Sequence, residues 1–235
     1  MASHYSAQAR DDLVRRAEDV LKQRKSHSNF LRPLFIELTG SPSSGKTTIK
    51  KILDTFFRRR GYRVAVPQEG AEIVRDVSRK RPTYNLCTGF YALACMMDFA
   101  SSPHYDLVIF DRAIYDAFSW MDYWFRKESL DEVEMQRMQD FFTHAKWRGT
   151  IDAAFIVNAA PEAVEVRERE INLTDEDGAT TNPATIAMLI DIYRKTYERF
   201  GSTEHIRLID TTSLSKKEMA FQVLEHALDG FERRK

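Results

Sequence analysis

The densest chemistry in the chain lies in Gly40-Ser41-Pro42-Ser43-Ser44-Gly45-Lys46-Thr47, which fits the P-loop pattern G-x-x-x-x-G-K-S/T. Glycine at both ends lets the main chain take angles that a side chain forbids, so successive amides can turn inward on phosphate oxygens. Lys46 is then a point charge for the β- and γ-phosphates, and the Thr47 hydroxyl is a ligand for Mg²⁺. Gly40, Ser41, Ser43, Ser44, Gly45, Lys46, Thr47 and Thr48 are assigned to a bound nucleoside triphosphate, with Mg²⁺ as its metal. Asp111 closes the apolar run Leu107-Val108-Ile109-Phe110. That is the Walker B form, in which a carboxylate at a strand's end faces the P-loop, so Thr47 and Asp111 are the metal-ligand candidates.

The elements that must position these residues alternate. Leu34–Thr39 reads as a strand, and Ile49, Ile52, Leu53, Phe56 and Phe57 follow the loop at helical spacing. Arg58-Arg59-Arg60-Gly61 closes that helix with cations and a glycine. Further strands are expected at 62–66, 105–111, 151–157 and 206–210, with helices at 71–77, 86–100, after Arg112, at 131–146, from Pro161, up to Phe200 and from 216. Such alternation predicts an α/β P-loop NTPase fold, a five-stranded parallel sheet with helices on both faces. Ligands of such a sheet sit beyond the strands' carboxyl ends, where Thr39, Glu69, Asp111, Asn158 and Asp210 fall. The domain is taken as 28–235 with a lid at about 165–184, preceded by a helical extension over 1–27. In that extension Leu13, Val14, Ala17, Val20 and Leu21 form an apolar stripe, suited to packing on the domain's flank or to receiving a partner, a second copy included.

The 235 residues are enough for one sizeable domain. Lys plus Arg and Asp plus Glu each total 35, so no net field points to a nucleic acid or a membrane, and a small molecule is the expected partner. Cys87 and Cys95 lack metal-ligand or redox-motif spacing. With no apolar run of membrane-spanning length and a start too polar for a signal peptide, a cytoplasmic protein is expected.

A guanine-reading Asn-Lys-x-Asp and a transporter-type Leu-Ser-Gly-Gly are both missing, and the Asp111 strand ends in Asp-Arg rather than the Asp-Glu usual in ATP-hydrolysing motors. Over residues 34–230 the order of the pieces resembles P-loop nucleoside and nucleotide kinases, typified by thymidylate kinases and deoxynucleoside kinases. The pieces are the P-loop, Glu69 after the second strand, Asp111-Arg112 after the third, and Pro161-Glu162…Arg167…Arg169 after the fourth. The resemblance implies transfer of the γ-phosphoryl of ATP to a hydroxyl of a nucleoside or nucleoside-like acceptor. It implies that Glu69 takes the acceptor's proton, that Arg112 reaches the phosphates or the acceptor, and that Arg167 and Arg169 close over the triphosphate. From position alone Glu69 could instead cap the helix that follows it. Arg167 and Arg169 could belong to a solvated, charged helix face. Tyr91, Met97, Phe118 and Trp120 either line an acceptor pocket or, as such stripes more often do, pack in the core. Thymidylate kinases carry arginines where Gln68 and Met97-Asp98-Phe99 stand, which favours an unphosphorylated acceptor. The alternatives are a thymidylate-type kinase, a kinase of nicotinamide riboside, another metabolite or an antibiotic, and a nucleotide-dependent switch with little catalysis.

Overall fold

The central strand β1 (Leu34–Gly40) is buried along its whole length, and its alternation sends different chemistry to the two faces of the sheet. A computed structural model describes residues 6–27, 31–171, 182–202 and 205–234, the side chains of 168–171 aside. On one face Leu34, Ile36 and Leu38 pack with α1 (Ala7–Ser26), α2 (Lys46–Arg59) and α10 (Lys216–Glu232). On the other, Phe35 packs with α4 (Pro82–Ala100), α5 (Ile114–Arg126) and α9 (Pro183–Phe200). Glu37 and Thr39 share this second face, and both are fully buried.

Five parallel strands form the sheet in the order β2 (Val64–Ala65), β3 (Leu107–Asp111), β1, β4 (Ala153–Asn158), β5 (Ile206–Asp210). The register sets Leu38 beside Asp111 and Gly40 beside Val157, so the P-loop and the Walker B carboxylate leave the same edge. The short helices α3 (Gly70–Ile73), α6 (Glu132–Phe142), α7 (Ala145–Arg148) and α8 (Pro161–Ile171) complete the described chain.

Several boundaries differ from those the sequence suggests. β2 keeps two of the five expected residues: it is an edge strand, and Tyr62 turns into the core, its hydroxyl donating to Ala17 O at 2.8 Å. The helix expected over 71–77 stops at Ile73. α4 starts four residues early, because Pro82 sits in its first turn, where a missing N–H costs nothing. The helix expected over 131–146 is two helices, with Thr143 capping the first. The stripe on α1 packs against this domain: Leu13, Ala17, Val20 and Leu21 are buried, and Arg16 bridges Asp229 and Glu232 of α10. No helix among the described residues is long and apolar enough to cross a membrane.

Gly40 has φ 137°, and a Cβ there would lie 1.9 Å from Val157 O. Gly40→Ala should therefore lower stability by about 3 kcal/mol or more, the upper end for overpacking, as read by the urea midpoint.

Candidate active site

At the carboxyl edge of the sheet, α2 opens at Gly45 (φ 101°) with no side-chain cap, so its first amides meet no side-chain acceptor. Uncapped amides and the positive end of a helix suit an anion. Lys46 folds back on the loop, its Nζ donating to Ser41 O at 2.6 Å and Gly40 O at 3.1 Å. Burial, helped by nearby Arg112, lowers its pKa to about 7. Ser41 Oγ is buried without a hydrogen-bond partner among the described residues. An orphaned hydroxyl, an uncapped helix and a cation away from water all fit a phosphate chain. The loop is held from the far side of the sheet: Thr211, just past β5, donates its hydroxyl to Ser44 O at 2.6 Å. Arg167 on α8 joins the same contact, donating to Ser43 O at 3.2 Å and to Thr211 O at 2.8 Å. Of the two arginines marked in the sequence, Arg167 thus touches the P-loop. The Arg169 side chain and most of the expected lid, 172–181, lie outside the described residues.

Asp111 is buried, and its Oδ2 accepts from Lys50 Nζ at 2.6 Å. Lys50 lies one helical turn after Lys46. The oxygens of Thr47 and Asp111 are the hard donors that Mg²⁺ takes beside phosphate oxygens, and the residues fit that ion.

The turn from β3 into α5 brings Arg112 to the site. Arg112 has φ 69°, in the left-handed region, and its amide donates to Leu38 O at 2.8 Å. Ala113 at the start of α5 offers no side-chain cap. Glu37 of β1 takes that role from across the sheet, its Oε1 accepting from the amides of Ala113, Tyr115 and Asp116, each at 3.0 Å. Arg112 then lies between two carboxylates, with Nε 2.9 Å from Glu69 and Nη1 2.7 Å from Asp116. Asp116 also accepts from Tyr193 OH and Thr39 Oγ1, both at 2.7 Å. Burial pulls the Arg112 pKa down, but Asp116, Tyr193, Glu69 and Asp111 outweigh it, so the guanidinium is held above its usual value. Burial raises the Glu69 carboxyl, with Arg112 pulling the other way. Glu69 precedes α3 without capping it, which removes the capping role its position allows.

From this network a cavity of about 530 Å³ extends between α4 and α5. Trp120, Tyr123 and Trp124 form one wall and Tyr84 and Asn85 the other, with Glu69, Arg112 and Asp116 among the lining residues. Trp124 Nε1 donates to Asn85 Oδ1 at 2.9 Å, tying the walls together. Of the four hydrophobic residues marked as pocket candidates, only Trp120 lines it. α4 offers Tyr84, Asn85, Thr88 and Gly89 to the cavity, so Tyr91 and Met97 lie on its other sides. Met97 is half exposed, and Phe118 packs in the core against Phe200.

A family model described as an AAA domain matches residues 35–200. No curated protein matches the chain. Among solved structures, the deoxyadenosine kinase from M. mycoides with bound dCTP superposes with a TM-score of 0.57 at 14% identity, covering 82% of this chain and 97% of that one. The same kinase with products dCMP and a flexible dCDP bound gives identical figures. At that identity the likeness is one of fold.

Two measurements probe the loop. An anion beside Lys46 restores its proton, so nucleotide binding should take up a proton above about pH 7 and weaken as pH rises. Calorimetry in buffers of different protonation enthalpy, at saturating Mg²⁺, should read that uptake in the natural chain and lose it in Lys46→Arg, whose cation does not titrate there. Lys50 is paired with Asp111 and would compete with a metal there, so Lys50→Met should lower the Mg²⁺ midpoint for nucleotide binding about threefold to tenfold, read by tryptophan fluorescence.

Proposed function

The chain belongs to the AAA-domain family of P-loop proteins, and on that premise we propose that it is a kinase moving the γ-phosphoryl of ATP to a hydroxyl of a nucleoside-like acceptor. The observation that carries this reading is the junction of loop and cavity. Glu69, Arg112 and Asp116 line the aromatic cavity, and all three, together with Asp111, act on the charge of Lys46. An acceptor seated there presents its hydroxyl where a γ-phosphate would lie. A motor-type ATPase needs only a water at that point and has no use for a walled slot of tryptophan and tyrosine. The kinase fold of the deoxyadenosine kinase supports the same reading.

Phosphoryl transfer asks for positioning and charge neutralisation more than covalent help. The acceptor oxygen bonds to the γ-phosphorus as the bond to the β–γ bridging oxygen breaks, and ADP leaves. The acceptor's proton passes to Glu69, whose raised pKa makes it the better base. Lys46 and Arg112 neutralise charge on the moving group. Arg167, held to Ser43 and Thr211, braces the loop from the opposite side. Thr47 and Asp111 are the groups to hold Mg²⁺, which when bound draws charge from the phosphate oxygens.

Incubation with ATP, Mg²⁺ and a panel of nucleosides and nucleoside monophosphates tests the reading: a phosphorylated nucleoside supports it, and ATP hydrolysis alone overturns it. Glu69→Gln should slow single-turnover transfer by about 10²–10⁴-fold. Its thermal midpoint should fall by no more than a few degrees, since Glu69 caps no helix, Gln can still accept from Arg112, and Asp116 still pairs its charge. A fallen midpoint with an intact rate would place the base elsewhere.

A further inference from the structure

The cavity's far end differs in charge from the end at the P-loop. Its lining carboxylates, Glu69 and Asp116, are both engaged by Arg112. Three more cations line it: Arg79 and Lys80 just before α4, and Lys127 just after α5. None of the three forms an ion pair with a described residue. Arg79 is fixed over the Tyr84 ring, 5.5 Å from its centroid, and its Nη2 donates to Ala71 O at 3.3 Å. Tyr84 is 7% exposed, lines the same cavity, and its hydroxyl is buried with no hydrogen-bond partner among the described residues. A buried phenol without a partner costs stability unless something else satisfies it. Helix α5 spans 13 residues, so at about 1.5 Å per residue Lys127 stands ~20 Å along the slot from the Arg112 turn.

From these groups we infer that the acceptor carries an anionic group, carboxylate or phosphate, at the end remote from the hydroxyl that is phosphorylated, held by Arg79, Lys80 and Lys127 with the Tyr84 hydroxyl as a neutral donor. The inference rests on the reading of this cavity as the acceptor's. The aromatic walls take a flat ring, and the cations at the mouth select a ring or sugar that bears an acid. Charge-assisted hydrogen bonds of this kind carry the discrimination, and their exposure makes it sensitive to salt.

Matched probes with the acid on the base edge remote from the ribose test it: adenosine against N6-succinoadenosine, uridine against 5-carboxymethyluridine, and adenosine against N6-(2-phosphonoethyl)adenosine. Binding is read by tryptophan fluorescence in the presence of a non-hydrolysable ATP analogue and Mg²⁺, and transfer separately with ATP. At least one acid-bearing member should bind about tenfold or more tightly than its neutral partner. That preference should shrink with added salt and vanish in the Arg79→Ala/Lys80→Ala/Lys127→Ala triple variant. The carboxylate and phosphonate arms show which acid the mouth takes. Tyr84→Phe should weaken the acid-bearing member with no loss of thermal midpoint, because the hydroxyl removed bonds to none of the described residues. Equal affinity within every pair, no binding by any acid-bearing member, or a preference that survives the triple variant overturns the inference. Preferential binding without transfer keeps it and overturns the kinase reading instead.

Discussion

A carboxylate kept from water, Glu37, organises the site from beneath. It sits in the middle of the central strand and takes three main-chain amides at the start of α5. Burial pushes its carboxyl up to about 7 while those amides pull the other way. An unpaired carboxylate in such a place would be prohibitive. A helix N-terminus that lacks its own cap is the environment that makes it tolerable. Each group supplies what the other lacks, and their contact fixes where α5 begins. The backbone between β3 and α5 must then turn within Asp111, Arg112 and Ala113, which puts Arg112 in the left-handed region. The direction of the Arg112 side chain follows from that turn.

Arg112 is in turn a fixed charge. Held between Glu69 and Asp116, with Tyr193 and Thr39 completing Asp116, it has little freedom to reorient. A cation placed in advance costs no reorganisation when phosphate charge develops beside it, which is where electrostatic catalysis gains most. Lys46 is the complement: its pKa is low in the bare protein, and it regains full charge when an anion arrives. On the proposed reading the two cations act at different moments, one standing and one recruited.

How much of this was legible in the sequence depends on range. The P-loop, the Asp111 strand and the order of strands and helices are local patterns, and the parallel five-stranded sheet has the elements they imply. Glu69 and Arg112 are marked by their places after strands, and they meet. The supporting groups are not legible, because nothing local distinguishes them. Glu37 is one acid in an apolar strand, whose role depends on a helix 76 positions away. Asp116, Tyr193 and Thr211 come from three different elements and are joined only by the fold. Lys50 looks like any solvated helix lysine until β3 is set beside α2. The cavity fails for a different reason: aromatic stripes announce burial, but which face of α4 meets α5 is decided by Gly89, where a Cβ would strike Ala117 and Phe142 at 2.8 Å.

A neutral total charge hides the same kind of information. Thirty-five cations balance 35 anions over the chain, which argues against a broad field. Specificity is set by local imbalance instead. At the P-loop end of the cavity every charge has a protein partner, so that end is rigid and suited to positioning a reaction. At the mouth the cations Arg79, Lys80 and Lys127 have no lining carboxylate, so that end has charge to offer to something else. A fold does not by itself fix a substrate. The substrate of this chain is therefore to be sought in the groups that the P-loop does not explain.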